Sequence, residues 1–195
     1  MGEQKLTKRQ IQAQNTQNKI YCTAIDLLEK KGFDNLTVEE ICQKAGVSIG
    51  SFYNYFKSKN DILNIIYKVA DEYFNDVVAN EIKEGHSYEK IVRFFKFYAD
   101  YNAERGLDFI KHLYNSQNKI FITDGRNMQN VLQKIIEEGQ EKREIEAQIK
   151  PREMVEYLFI AARGLIYDWC LHDGNYDLSE FVVNYMKRLV KIFII

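Results

Sequence analysis

The chain has 195 residues, a formal net charge of −1 and a hydrophobic content of 46%. This length suits one large domain or two small ones, and the apolar content is ample for a buried core. A single proline and ten glycines leave long stretches without helix breakers, which favours an all-α fold.

The near-zero net charge alone argues against a nucleic-acid-binding protein, but the distribution of charge points the other way. Residues 1–60 carry nine Lys or Arg and six Asp or Glu, whereas the remaining 135 residues carry 18 and 22. A mildly basic N-terminal third on an acidic body suits a small module that faces phosphate groups.

The three cysteines, Cys22, Cys42 and Cys170, are widely spaced and lie in apolar helical patterns. Because no CxxC pair is present, we expect reduced thiols, buried or half-buried, rather than disulfides or metal ligands. Residues 1–18 are polar and lack the apolar core of a signal peptide, and no apolar run approaches the roughly 18 residues of a membrane span. The sequence therefore predicts a cytoplasmic protein, with no metal or cofactor.

Between short clusters of turn residues, the apolar side chains recur at steps of three and four residues, which is typical of amphipathic helices. A capping box of Thr7 and Gln10 favours a helix that begins near residue 8, although residues 1–15 could also remain a loose arm. The pattern predicts about nine helices, at 8–31, 38–45, 49–56, 60–82, 88–102, 105–117, 125–144, 151–171 and 178–193.

Two of these helices, 38–45 and 49–56, form a predicted helix-turn-helix. Thr37 and Glu40 have the spacing of a capping box that starts the first helix. Gly46 stands where a helix ends in a left-handed residue, and Ser48 can cap the second helix. Two short helices joined by a Gly-containing turn are the unit that many proteins use to bind DNA, although an ordinary helical hairpin has the same outline.

The second helix carries small and hydrogen-bonding side chains near its N-terminus, where backbone N–H groups favour phosphate. Tyrosine hydroxyls and lysines suit phosphate oxygens, whereas the smaller side chains suit base edges. The predicted DNA-binding residues are Thr37, Ser48, Ile49, Gly50, Ser51, Tyr53, Asn54, Tyr55, Lys57 and Lys59.

This region resembles the TetR (tetracycline repressor) family over roughly residues 17–64. The matching residues are Asn18-Lys19-Ile20, Ala24, Leu27-Leu28, Lys31-Gly32-Phe33, Thr37-Val38-Glu39-Glu40-Ile41, Ala45-Gly46-Val47-Ser48, Gly50, Tyr53, Tyr55-Phe56, Lys57-Ser58-Lys59 and Leu63. The sequence departs from the family at Tyr55, where His is frequent, and at Cys42, where Ala is common.

The resemblance implies an N-terminal three-helix DNA-binding domain, at residues 1–59, and a larger helical domain for ligand binding and dimerisation, at 60–195. It also implies a homodimer built on the last two long helices. Carried over by position, Thr37, Tyr53, Tyr55 and Lys59 would contact phosphates. The residues that would face base edges are Ile49, Gly50, Ser51 and Asn54.

Helix 151–171 is apolar on two neighbouring stripes, and helix 178–193 also carries a stripe of apolar residues. Two such helices from each chain are therefore expected to form a four-helix bundle between two chains. An intramolecular core could explain one of the two stripes. The predicted interface residues are Val155, Phe159, Ala162, Ile166, Phe181, Tyr185 and Leu189.

The middle helices are dense in aromatic residues with a few polar side chains between them, which suits a small-molecule cavity as well as a plain structural core. The candidate ligand-binding residues are Phe97, Tyr101, Phe109, His112, Phe121 and Arg163. Such a site suits an apolar or planar ligand with a carboxylate or phosphate near an arginine.

Sequence motifs for catalysis or metal binding are absent, because His86, His112 and His172 are isolated and no phosphate-binding glycine motif occurs. We therefore predict a non-enzymatic, ligand-responsive transcriptional regulator, a repressor that leaves a near-palindromic DNA operator when a small effector binds. One alternative is a regulator without a small effector, either an activator or a protein controlled by a partner. The other is a helical dimer that has lost DNA binding.

Overall fold

The computed structural model describes residues 7–33, 35–114, 119–123 and 125–195. Within these ranges the chain is helical, and its β-structure is limited to an isolated bridge between Ile145 and Ile194. The predicted all-α class is confirmed.

The helices are α1 Lys8–Lys31, α2 Val38–Ala45, α3 Ile49–Tyr53, α4 Asn60–Tyr73, α5 Ala79–Glu81, α6 Ser87–Glu104, α7 Leu107–Leu113, α8 Asn127–Glu141, α9 Pro151–Leu171 and α10 Leu178–Leu189. A π-helical turn, Phe74–Val78, joins α4 to α5, and 3₁₀ turns lie at Lys119–Ile122 and Val190–Phe193.

Two predicted helices differ from the structure in an informative way. Helix α3 ends at Tyr53, because the N–H groups of Tyr55 and Phe56 both turn back to the carbonyl of Phe52. The predicted helix 60–82 is interrupted by the π-helical turn, a rare feature that is frequent at functional sites. Residues 115–117 of the predicted helix 105–117 lie outside the described residues.

The chain divides into two compact units, Met1–Tyr67 and Lys68–Ile195, which we call the N-terminal and C-terminal units. The division falls inside α4, later in the chain than the expected domain boundary after residue 59. Helix α4 therefore starts in one unit and ends in the other.

The N-terminal unit is built around a small apolar core shared by its helices. The buried members are Ile20, Ala24, Leu27, Leu36, Ile41, Cys42, Ala45, Phe52, Phe56 and Ile62. Burial of such side chains stabilises the unit by about 1.5–3 kcal/mol for each large one. This core fixes α2 and α3 against α1 and leaves their opposite faces in solvent.

The C-terminal unit has an aromatic core around α6, which packs against α8, α9 and α10. Phe94 lies 5.0 Å from the ring of Phe74 and 6.0 Å from that of Phe159, as centroid distances. Tyr98 is also part of this cluster, at 5.6 Å from Phe159. Most of the aromatic excess in the middle of the sequence is therefore used in packing.

The cysteines are free thiols, but only two of the three are buried. Cys42 and Cys170 lie in the cores, and burial raises the pKa of both thiols. Cys22 is exposed, so the expectation of a buried or half-buried thiol is wrong there. Two residues of α1 that do enter the core, Ile20 and Ala24, lie on either side of Cys22 in sequence.

Candidate nucleic-acid interface and ligand cavity

The turn between α2 and α3 is fixed by local hydrogen bonds. The Thr37 hydroxyl accepts from the Glu40 N–H at 3.2 Å, and the Ser48 hydroxyl accepts from the Ser51 N–H at 3.0 Å. Gly46 ends α2 in the left-handed conformation at φ 62°, as predicted. The Glu40 carboxylate pairs with the Lys31 ammonium, so only the Thr37 half of the predicted capping box is formed.

Helix α3 is anchored through one face and exposed on the other. Phe52 is fully buried and stacks on Phe56 with centroids 5.2 Å apart. On the opposite face Tyr53 is 54% exposed and Ile49 is 45% exposed, although large apolar side chains are normally buried. This arrangement gives a rigid helix that presents its outer face to another molecule.

We call this exposed face and its flanks the reading surface. Its exposed members are Thr37, Ser48, Ile49, Gly50, Tyr53, Asn54 and Lys57, with Ser51 and Tyr55 half-buried. Nine of the ten predicted DNA-binding residues thus lie on or beside α3 or at the start of α2. The Thr37 hydroxyl oxygen accepts the hydrogen bond that caps α2. Its O–H group can therefore still donate a hydrogen bond to another molecule.

Lys59 is placed differently from the expectation. Its ammonium donates to the carbonyls of Phe33, at 3.0 Å, and Leu36, at 3.1 Å, and lies 4.6 Å from the centre of the Phe33 ring. Both carbonyl groups belong to the loop between α1 and α2. The ammonium of Lys59 therefore holds this loop in place. Lys59 thereby stabilises the N-terminal unit, and its contact with a DNA phosphate stays a prediction.

Replacing Lys59 with alanine should accordingly lower the free energy of unfolding by about 2 kcal/mol, because two charge-assisted hydrogen bonds are lost. Lys57 offers a matched control, since its side chain is exposed. Lys57→Ala should leave stability unchanged and reduce the salt dependence of DNA binding by about one phosphate contact. Thermal melts and binding titrations at several salt concentrations measure both effects; an unchanged melting temperature in Lys59→Ala would contradict the structural role.

Lys19 is a basic residue near this surface that the sequence did not single out. Its Nζ atom lies 3.6 Å from the position that a Cβ atom on Gly46 would occupy. An ammonium therefore stands at the turn of the helix-turn-helix. Lys19 lies within α1, 27 residues before Gly46, so the sequence alone did not show that the two are close.

The C-terminal unit contains an open cavity of about 510 Å³ between α8, α9 and the 3₁₀ turn Lys119–Ile122. Its lining residues are Phe121, Ile122, Gly125, Gln129, Asn130, Gln133, Arg152, Val155, Glu156, Phe159 and Arg163. The Arg163 guanidinium donates to the carbonyl of Phe121 at 2.9 Å, which ties α9 to the turn. Six of these eleven residues are polar or charged, so the cavity can bind the polar groups of a ligand as well as its apolar part.

Of the predicted ligand-binding residues, Phe121 and Arg163 line this cavity, but Phe97, Tyr101, Phe109 and His112 do not. Phe109 is 2% exposed and belongs to the core. Tyr101 stacks on Tyr73 at 5.3 Å and accepts a hydrogen bond from Arg105 at 2.8 Å. Four of the six predicted residues lie on α6 and α7, whereas α8 and α9 supply most of the lining.

Two buried tyrosines lie behind the cavity wall. The hydroxyls of Tyr98 and Tyr114 are 2.7 Å apart, and their rings contact the cavity residues Phe159 and Phe121. Burial raises the pKa of Tyr98 and raises that of Tyr114 well above its usual range, although Arg163 opposes the shift in both. Both hydroxyls therefore stay protonated and hold the wall in place as a neutral pair.

The predicted dimer residues of α9 point inward. Val155, Phe159, Ala162 and Ile166 are between 0% and 5% exposed within their own chain, so they cannot reach a second one. On α10, Phe181 and Tyr185 are 40% and 45% exposed and Leu189 is half-buried. Both stripes that were recognised in the sequence of α9 serve the intramolecular core.

A third stripe on α9 remains in solvent, and we call it the outer stripe. It consists of Tyr157, Ile160, Gly164, Tyr167 and Leu171. These residues follow each other at steps of three and four, the spacing of helices that pack side by side. Its large side chains are 45–64% exposed, and a Cβ atom on Gly164 would meet no atom within 4 Å. Sequence analysis missed the stripe because two tyrosines and a glycine look like ordinary surface residues.

Among the residues that the structure describes, no three His, Cys, Asp or Glu side chains come together as a metal site. In the same residues, no helix is both long and apolar enough to span a membrane.

A capped helix-turn-helix with a rigid, solvent-facing second helix defines a DNA-binding protein of the helix-turn-helix class. Residues 20–66 match the family model described as bacterial regulatory proteins, tetR family. This segment of the chain is therefore a tetR-family DNA-binding region, and the protein is a DNA-binding transcriptional regulator.

Similar proteins extend the likeness to the whole chain. The fatty acid metabolism regulator protein of Bacillus subtilis is 25% identical over 174 residues, which cover 86% of this chain and 90% of the relative. The structure of a fatty acid degradation regulator from Bacillus halodurans has a TM-score of 0.69 and 21% identity, and the match covers 96% of both chains. A Thermus thermophilus transcriptional repressor in complex with lauroyl-CoA has a TM-score of 0.67 and 18% identity, with 89% of this chain and 92% of that one covered.

Proposed function

We propose that this regulator is a repressor that binds its operator as a homodimer through the reading surface and is released by an amphiphilic effector in the cavity. The observation that carries the proposal is the contrast within α3, where Phe52 is fully buried and Tyr53 is 54% exposed. A helix held this firmly, with its polar N-terminal face in solvent, is suited to the major groove of DNA.

On the reading surface, the long side chains and the short ones have different proposed partners. Thr37, Tyr53 and Lys57 reach outward with hydroxyl or ammonium donors, which suit phosphate oxygens. Ser51 and Asn54 are short and can donate and accept, which suits base edges. Tyr53 packs edge-on against Phe52 with centroids 5.4 Å apart, so its hydroxyl is held in a defined direction.

This division predicts two kinds of mutant. Tyr53→Phe should weaken binding to all DNA sequences alike, because it removes a phosphate contact without touching the bases. Ser51→Ala and Asn54→Ala should change which base pair is preferred at one position of each half-site, by roughly 1–3 kcal/mol. Selection of sites from random DNA by each variant gives the measurement. If both alanine variants select the same sites as the wild type, the reading surface is assigned wrongly.

We propose that the homodimer forms over the outer stripe of α9 together with Phe181 and Tyr185 of α10. These side chains are large, apolar and exposed, and they lie on two adjacent long helices. Exposed apolar patches of this kind mark contact sites between chains. A two-fold axis would pair each stripe with its copy, as a near-palindromic operator requires.

For the effector, we propose a fatty acyl thioester of coenzyme A. The cavity has apolar walls from Phe121, Val155 and Phe159, and it holds the two cations Arg152 and Arg163. An alkyl chain suits the apolar side chains, and an anionic phosphate suits the two arginines. The similar proteins support this class of ligand, since two are regulators of fatty acid metabolism or degradation and one is a repressor bound to lauroyl-CoA.

A further inference from the structure

A second, smaller cavity of about 300 Å³ lies beside the first along α8. Its lining residues are Asn75, Asn127, Asn130, Val131, Gln133, Lys134 and Glu137. Asn130 and Gln133 also line the larger cavity, so the two meet at these two side chains. We propose that they form one two-part binding site, in which the smaller part holds an uncharged, amide-bearing arm of the effector. This inference rests on the proposed function.

The chemistry of the smaller part follows from its existing hydrogen bonds. The Gln133 side-chain NH₂ donates to the Glu137 carboxylate at 2.7 Å, and the Asn75 side-chain NH₂ donates to the Asp76 carboxylate at 2.8 Å. Each NH₂ group keeps its second N–H, and each carbonyl oxygen can accept, so both carboxamides can pair with a ligand group that donates and accepts. An amide is such a group.

The charges of this part of the site suit a phosphate less well than those of the larger cavity. Among its lining residues, the cation Lys134 is offset by the carboxylate of Glu137, and the carboxylate of Asp76 accepts from the lining residue Asn75. A phosphate, which is an acceptor and carries negative charge, is therefore less favourable there than an uncharged group. The arginines Arg152 and Arg163 lie only in the larger cavity, which is the place for an anionic group. Together the two cavities fall within the roughly 300–1,000 Å³ of ordinary ligand sites.

The position of Asn75 adds a link to regulation. It lies in the π-helical turn, and its neighbour Phe74 is fully buried in the aromatic core against Phe94. The turn continues α4, which begins in the N-terminal unit. An arm bound at Asn75 would therefore contact the turn that continues α4, a helix whose first residues belong to the N-terminal unit.

The test compares one ligand that carries the arm with one that lacks it. We would measure by calorimetry the binding of dodecanoic acid and of its pantetheine thioester, which adds two amides, to the wild type and to Asn75→Ala. Asn127→Ala is a second variant that lines only the smaller cavity, and Asn64→Ala is a control on α4 that lines neither. Loss of one hydrogen bond should weaken the thioester about fivefold in each cavity variant and leave the acid unchanged.

Equal weakening of acid and thioester, or no weakening of the thioester in either cavity variant, would overturn the two-part site while leaving the proposed effector class standing. Failure of the wild type to bind either ligand or lauroyl-CoA would overturn both the two-part site and the proposed effector. A thioester effect that also appears in Asn64→Ala would count against the two-part site, because that variant alters no lining residue.

Discussion

Replacing Gly50 with alanine is expected to stabilise the protein and to weaken its binding to the operator at the same time. Gly50 lies in α3 with ordinary helical geometry, and a Cβ atom there would meet only the Ser48 hydroxyl, at 3.9 Å. Alanine should therefore fit, and it should raise the free energy of unfolding by roughly 0.5–1 kcal/mol, since glycine is a poor helix former.

Neither backbone geometry nor packing within the chain requires a glycine at position 50. We therefore attribute the glycine to close contact with another molecule, the DNA. Gly50 is exposed between Ile49 and Ser51, where a recognition helix approaches the bases most closely. An added methyl group would push the helix away from the groove, and we expect operator affinity to fall by about 1–3 kcal/mol, the value of a good base contact. Thermal melting and operator titration of the same variant give both numbers. A variant with wild-type affinity would mean that Gly50 does not face DNA.

Charged substitutions in the outer stripe are expected to produce folded monomers. Gly164→Arg places its side chain in open space, and Ile160 is 54% exposed, so Ile160→Asp should also leave the single chain intact. In a two-fold dimer each charge would meet its own copy across the axis, in an apolar contact. Because the dimer holds two half-sites at once, its loss should reduce operator affinity about 100-fold or more.

Two comparisons make this experiment specific. Ala162→Arg should unfold the chain instead of separating dimers, because Ala162 is fully buried within it. Val77→Asp is a matched control, since Val77 is exposed to a similar degree, at 43%, and lies far along the sequence from α9. Light scattering gives the mass and circular dichroism the fold. A folded protein that stays dimeric with both Gly164→Arg and Ile160→Asp would move the interface away from the outer stripe.

The features predicted best from the sequence are those set by neighbours along the chain. The caps at Thr37 and Ser48 and the left-handed Gly46 depend on contacts within three or four residues, and all three were predictable. Lys59 was predicted less well, because its partners Phe33 and Leu36 lie more than 20 residues away in sequence.

The C-terminal unit shows the opposite case, because packing between distant helices decides its surfaces. Helix α9 is apolar on most sides, and periodicity alone does not tell which stripe meets its own chain. The buried stripe through Ala162 was predicted at the interface, whereas the stripe through Ile160 is the exposed one. In the same way, the aromatic residues of α6 could have lined a cavity or filled a core, and Phe94 and Tyr98 fill the core.

If the effector releases the repressor from DNA, the binding of effector and the binding of operator must be coupled. We would titrate lauroyl-CoA by calorimetry into the free dimer and into the dimer bound to an operator fragment selected from random DNA. Thermodynamic linkage requires that an effector which weakens operator binding is itself weakened by the operator, by the same factor. We expect a factor of roughly 100, or about 2.7 kcal/mol per site. Equal affinity in the two titrations would contradict the account, because a ligand without preference between two states cannot shift them.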